Sequence, residues 1–123
     1  MSLSLTFVHQ RLSTAVYLLT AIAGLWGVAL YLRHATMTGQ YWGILACLQV
    51  LFVAQAGVGV ALWLSGSHPA RSLHFLYGIV SLISLPGFYL ASRGREDRRA
   101  TLNFALICFF LLGISLRAAT TGQ

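Results

Sequence analysis

Residues 41–64 read YWGILACLQVLFVAQAGVGVALWL. No charge interrupts the run, and as a helix rising 1.5 Å per residue it is longer than the hydrocarbon core of a bilayer, about 30 Å. Unpaired backbone groups in lipid cost several kcal/mol each, so such a segment is either a helix or a strand of a closed barrel. Apolar and polar residues do not alternate here, which selects the helix. Gln49 and Gln55 are its only amides.

Three further apolar runs flank this one, at about 8–32, 71–91 and 100–118. Together they predict one all-α domain over residues 1–123, an up-down four-helix transmembrane bundle. Composition agrees: 58% of residues are hydrophobic and 8% charged, against roughly 25% charged in soluble domains. Mean hydropathy is +0.78. Arg33, His34, Thr38 and Gly39 close the first run, and Tyr41 and Trp42 open the second at the interface. Ser65-Gly66-Ser67-His68-Pro69 makes a tight turn, and Arg93-Gly94-Arg95-Glu96-Asp97-Arg98-Arg99 is the one strongly polar loop. Connections this short make neighbouring helices antiparallel. Pro86 lacks the amide that would bond to Leu82, so the third helix is predicted to kink there.

The net charge is +6, and all eight cations are arginines. Nucleic-acid binding needs a basic stripe interleaved with aromatics; here five of the arginines sit in two short connections instead. They read as interfacial anchors and topology signals. Arg33, Arg93, Arg95, Arg98 and Arg99 share one side of the bundle, and Arg11, Arg71 and Arg117 share the other. The positive-inside rule then places both termini outside and the Arg93–Arg99 loop in the cytoplasm. The expected location is a bacterial inner membrane. The first run is long enough to span, so it reads as a retained helix rather than a cleavable signal. Cys47 and Cys108 lie within spans, outside any metal or disulfide spacing, and read as small apolar residues.

Glu96 and Asp97 are the only acids, and both lie in the third loop. A carboxylate proton relay and paired-carboxylate di-metal chemistry are therefore excluded, and no nucleophile–base set or phosphate loop is present. Histidine remains. His9 and His74 stand near the starts of the first and third helices, which are parallel and diagonal in such a bundle. Two neutral imidazoles facing across a bundle are the ligand pair of a six-coordinate b-type haem. Gly57, Gly59, Gly78 and Gly113, with Ala54, Ala56, Ala61 and Ser81, leave room for a flat macrocycle. A small-polar stripe of His9, Ser13, Thr20, Gly24 and Gly27 runs along the first helix. Arg11, Arg71 and Arg117 are placed to pair with propionates. The plainer alternatives are that small residues let helices approach and that arginines snorkel to headgroups. Counted from Arg33 and Arg93, His9 lies some five residues further out than His74, about 7 Å along a helix. Gln49 and Gln55 read as interhelical hydrogen-bonding groups, or as polar contacts for a quinone or pigment.

Val8-His9-Gln10-Arg11-Leu12, followed two helices later by Leu73-His74-Phe75-Leu76, resembles one four-helix half of the haem A synthase family. That resemblance covers most of the chain and implies a haem-holding bundle with His9 and His74 as ligands. The family's catalytic half carries a Glu three residues before its first His and an Arg directly after it. Thr6 and Gln10 occupy those positions here, so the resemblance implies haem binding without haem A synthesis. The expectation is a small bis-histidine membrane cytochrome b that carries electrons as a subunit of a larger complex, not an enzyme. The alternative is a cofactor-free accessory subunit of a respiratory, photosynthetic or transport complex.

Overall fold

A computed structural model of the chain describes residues 2–66 and 73–121. Its four helices are α1 (Ser2–Leu32), α2 (Gly39–Leu64), α3 (Leu73–Ala91) and α4 (Arg98–Thr121). Each is long and apolar enough to cross a membrane. Side chains such as Leu18, Leu25, Val50, Ile79 and Leu106 are exposed around the outside. An apolar surface of that extent requires lipid as its solvent. The protein is an all-α integral membrane bundle.

The ends of the helices follow from local chemistry. α1 closes in a Schellman motif, with the His34 amide bonded to the Tyr31 carbonyl at 3.1 Å and the Ala35 amide to Leu30 at 2.9 Å. His34 occupies the left-handed position of that motif, with φ 58°, where glycine is the usual residue. Thr38, expected to close the first helix, instead opens the second: its hydroxyl accepts the Tyr41 amide at 3.1 Å. Asp97 does the same for α4, accepting the Ala100 amide at 2.9 Å. That cap starts α4 two residues before the apolar run at 100. α1 likewise begins at Ser2 rather than near residue 8, so His9 lies about two turns inside a helix.

α1 packs on α2 and α4, and α3 packs on the same two, which leaves α1 and α3 on a diagonal. The connections 33–38 and 92–97 meet at one end. There the Met37 amide bonds to the Glu96 carbonyl at 3.1 Å, and Arg98 donates through Nε to the Tyr31 carbonyl at 2.8 Å. The same guanidinium lies 3.9 Å from the centre of the Tyr31 ring. The core at this end and mid-bundle is built on Tyr41, Leu48, Phe104 and Leu111, all fully buried. Phe104 takes Phe88 and Trp42 edge-on, at ring separations of 4.7 and 5.3 Å.

Part of the small-polar stripe on α1 has a packing explanation. A Cβ at Gly24 would lie 2.8 Å from the Phe109 ring, and one at Gly27 would overlap the Tyr41 hydroxyl and Ala105. These glycines let α4 and Tyr41 close onto α1, and the Tyr41 hydroxyl donates to the Ala23 carbonyl at 2.9 Å. Thr20, fully buried, returns its hydroxyl to the Val16 carbonyl at 2.6 Å. The stripe below Ser13 is therefore filled by protein, which macrocycle space would not be.

α3 remains helical through Pro86, and the bond that proline forfeits is replaced from outside. Gln49 of α2 donates its Nε2 to the Leu82 carbonyl at 2.8 Å. A proline on one helix and a glutamine on its neighbour thus form one device. Interhelical hydrogen bonds in lipid contribute about 0.6 kcal/mol on average and up to about 1.7; one that meets an otherwise orphaned carbonyl belongs at the upper end. Gln49→Leu is expected to destabilise the protein by about 1–2 kcal/mol. In a Pro86→Ala background the loss should shrink, because residue 86 regains an amide for Leu82. A double-mutant cycle of unfolding in detergent measures this coupling, and strictly additive effects would refute the device.

Candidate functional site

Antiparallel register brings His9 and His74 to one level. Between α1 and α2, Ala23 meets Tyr41 and His9 meets Gln55. Between α2 and α3, Leu82 meets Gln49 and Tyr89 meets Trp42. Carried along α2, the Gln55–Gly59 turn that faces His9 also stands opposite residues around 74 of α3. The offset of about 7 Å that counting from the loops suggests is absorbed by these registers. The two imidazole rings lie with centres 6.2 Å apart and planes at 62°, across the bundle diagonal.

Each histidine is held by a different helix. His74 Nδ1 lies 2.8 Å from the Ala118 carbonyl of α4. A carbonyl only accepts, so that nitrogen carries a proton, and in the neutral ring it is Nε2 that has the lone pair. This is the arrangement of a ligating histidine whose far nitrogen is anchored by a backbone carbonyl. His9 is held through its backbone. Gln55 of α2 donates Nε2 to the His9 carbonyl at 2.9 Å and to the Ser13 hydroxyl at 2.6 Å. Ser13 in turn donates to the same His9 carbonyl at 3.1 Å. The His9 ring itself has no hydrogen bond among the described residues, and its Nδ1 is buried. Gly59 stands beside the His9 ring: a Cβ there would lie 3.5 Å from His9 Cε1, an ordinary van der Waals contact.

The other expected site residues are distributed unevenly. Gly57, Gly78 and Gly113 are exposed, and a Cβ at any of them would meet nothing within 4 Å; they border open space, whereas Gly59 alone of the four touches a histidine. Arg11 is exposed and lies 5.0 Å over the Phe7 ring of its own helix. Arg117 is exposed one residue before Ala118, so it stands at the His74 end of α4. Arg71 and His68 fall outside the described residues. His34 is exposed at the opposite end of the bundle. Both glutamine nitrogens are spent on helix carbonyls or Ser13, which satisfies the interhelical reading of Gln49 and Gln55. The role of Gln55 beneath His9 was signalled only by its being one of two amides in an apolar run.

Chemically, the pair is a two-nitrogen site. Among the described residues no group of three or more His, Cys, Asp or Glu could hold a metal ion, so a bare zinc would fall short of its usual four ligands. Two opposed imidazoles suit a metal that arrives with its own equatorial ligands. Bonds of ~2 Å from each side, with roughly 1 Å from ring centre to nitrogen, put the centres of two trans imidazoles about 6 Å apart. The observed spacing matches that figure. Comparison with protein-family models, curated proteins and solved structures finds no match to this chain.

The tautomer of His74 is directly measurable. In protein labelled with nitrogen-15 histidine, without added cofactor, His74 is expected to be protonated on Nδ1. A spectrum with the proton on Nε2 would contradict the Ala118 anchor.

Proposed function

We propose that the protein is a small membrane-embedded b-type haem protein that takes part in electron transfer, with His9 and His74 as the two axial ligands. The observation that carries this reading is the pairing of the two rings at 6.2 Å from diagonal helices. The residues present fit the group in three respects. The ring spacing of 6.2 Å would let both imidazoles hold one iron between them. His74 is in the tautomer that offers Nε2. His9 has a buried ring nitrogen without a protein partner, a deficit worth about 1–3 kcal/mol, so its ring is not committed to the protein.

Bound haem would supply a one-electron couple at an iron held by two neutral nitrogens. The chain's own residues do the rest. Ala118 fixes the rotation of His74, and Gln55 with Ser13 fixes the turn of α1 from which His9 projects. Arg11 and Arg117, near the same end, are the described cations that can meet propionates. His9 and His74 would hold the group from two helices, and the chemistry it would supply there is electron transfer.

We place both termini outside, with the Arg93–Arg99 loop in the cytoplasm of a bacterial inner membrane, on the five-to-three arginine bias. The protein would exchange electrons laterally or at its outer surface, as a subunit of a larger membrane complex. The likeness to one half of the haem A synthase family supports the haem, while Thr6 and Gln10 argue against the synthase reaction.

Expression with ample haem should give a Soret band and a low-spin reduced spectrum after dithionite. His9→Ala and His74→Ala should each abolish the low-spin form, because one remaining ligand leaves the iron five-coordinate. His34→Ala should leave the spectrum unchanged. A colourless protein under these conditions would overturn the cytochrome reading and leave the cofactor-free accessory subunit.

A further inference from the structure

At the end of the bundle opposite the histidines, the last turn of α3 and the first turns of α4 enclose a cleft of about 210 Å³. At ~30 Å³ per water it holds on the order of seven waters, enough for a phosphate group and part of the glycerol attached to it. Phe88, Ala91 and Ala100 supply an apolar side; Ser92, Asn103, Arg95 and Arg99 supply polar groups, with Asp97 at the rim. We propose that this cleft binds the phosphodiester headgroup of an anionic phospholipid.

Position, charge and spare bonding capacity all point there. The cleft lies where the third candidate span ends at Ala91 and the fourth begins at Arg98, which is the level of lipid headgroups. The arginines of this loop differ in their commitments. Arg98 is spent on Tyr31, both its carbonyl and its ring. Arg95 and Arg99 line the cleft, and their guanidiniums make no hydrogen bond or ion pair among the described residues. A guanidinium offers phosphate a planar fork of donors, and the Asn103 amide adds a neutral one; the Ser92 hydroxyl is already donated to the Tyr89 carbonyl at 3.2 Å. Asp97 lowers the charge of the cleft, but one of its oxygens is already turned to the Ala100 amide as the cap of α4. Two guanidiniums against one carboxylate leave a single positive charge, the complement of one phosphodiester. A zwitterionic headgroup would bring its own ammonium against the arginines. The apolar wall of Phe88 and Ala91 then continues toward the acyl chains, which free phosphate does not have. This site is independent of the histidine pair and stands or falls without it.

The test is thermal unfolding of the protein in an uncharged detergent, titrated with phosphatidylglycerol, phosphatidylcholine or inorganic phosphate. Phosphatidylglycerol is expected to raise the melting temperature saturably, through preferential binding to the folded state, and the other two are not. Arg95→Gln and Arg99→Gln should each weaken the apparent affinity about tenfold, the loss of one charged hydrogen bond. Arg93→Gln removes a neighbouring loop charge outside the cleft and should leave affinity intact. Because each variant is compared with itself in the two lipids, a change in its basal stability does not affect the reading. Equal shifts with phosphatidylcholine would overturn the proposal. So would a loss with Arg93→Gln as large as that with Arg95→Gln, which would indicate diffuse attraction. Full protection by inorganic phosphate alone would make this a free-anion site and refute the lipid.

Discussion

Hydrocarbon offers no hydrogen bonds, so a polar group inside these spans is costly unless the protein supplies its partner. That constraint explains which helices touch and where. The few polar side chains in the bundle act as bolts between helices: Tyr41 to the Ala23 carbonyl, Gln49 to the Leu82 carbonyl, Gln55 to the His9 carbonyl and Ser13. Apolar burial alone would specify far less, because the lipid is as apolar as the helix faces it competes with. Each bolt fixes a register, and a register is a statement about depth.

Depth is what turns two histidines far apart in sequence into a pair. His9 and His74 lie on helices that do not touch, and each is levelled against α2, the helix between them. The same helix carries Gln55, which holds the His9 turn, and Gln49, which meets the carbonyl that Pro86 strands on α3. α4 completes the arrangement by presenting the Ala118 carbonyl to His74. Two buried polar atoms of this neighbourhood lack a partner among the described residues, Nδ1 of His9 and Oε1 of Gln55. In lipid such a deficit is expensive, and that of His9 sits where the proposed function needs an uncommitted ring.

Much of the fold was legible in the sequence because the signals are long. Four long apolar runs and short loops dictate the bundle, and the antiparallel order places helices one and three on a diagonal. Nearness of His9 and His74 was legible from topology, but their common level was not: counting from Arg33 and Arg93 separates them, and only the side-chain registers through α2 restore it. Thr38 and Asp97 as caps were missed because apolar periodicity says nothing about where a hydroxyl or carboxylate meets an amide. Gly24 and Gly27 were read with the histidine stripe, yet they serve Phe109 and Tyr41. A glycine in a sequence announces space, and only the packing tells whether a neighbour fills it. Gly59 and Gly24 look alike in the sequence and stand against quite different partners.

The two ends of the bundle therefore carry separate candidate sites, the paired imidazoles at one and the arginine-lined cleft at the other, joined by a core of aromatic edges around Phe104. The proposed electron-carrying end can be tested atom by atom. Electron–nuclear double resonance on the oxidised protein, with haem bound and histidine alone labelled with nitrogen-15, counts the histidine nitrogens bonded to iron. Ligation by His9 and His74 requires a low-spin ferric centre with two such nitrogens, falling to one when either residue is replaced. A high-spin centre with a single histidine nitrogen, or two that survive replacement of His9 or His74, would contradict it.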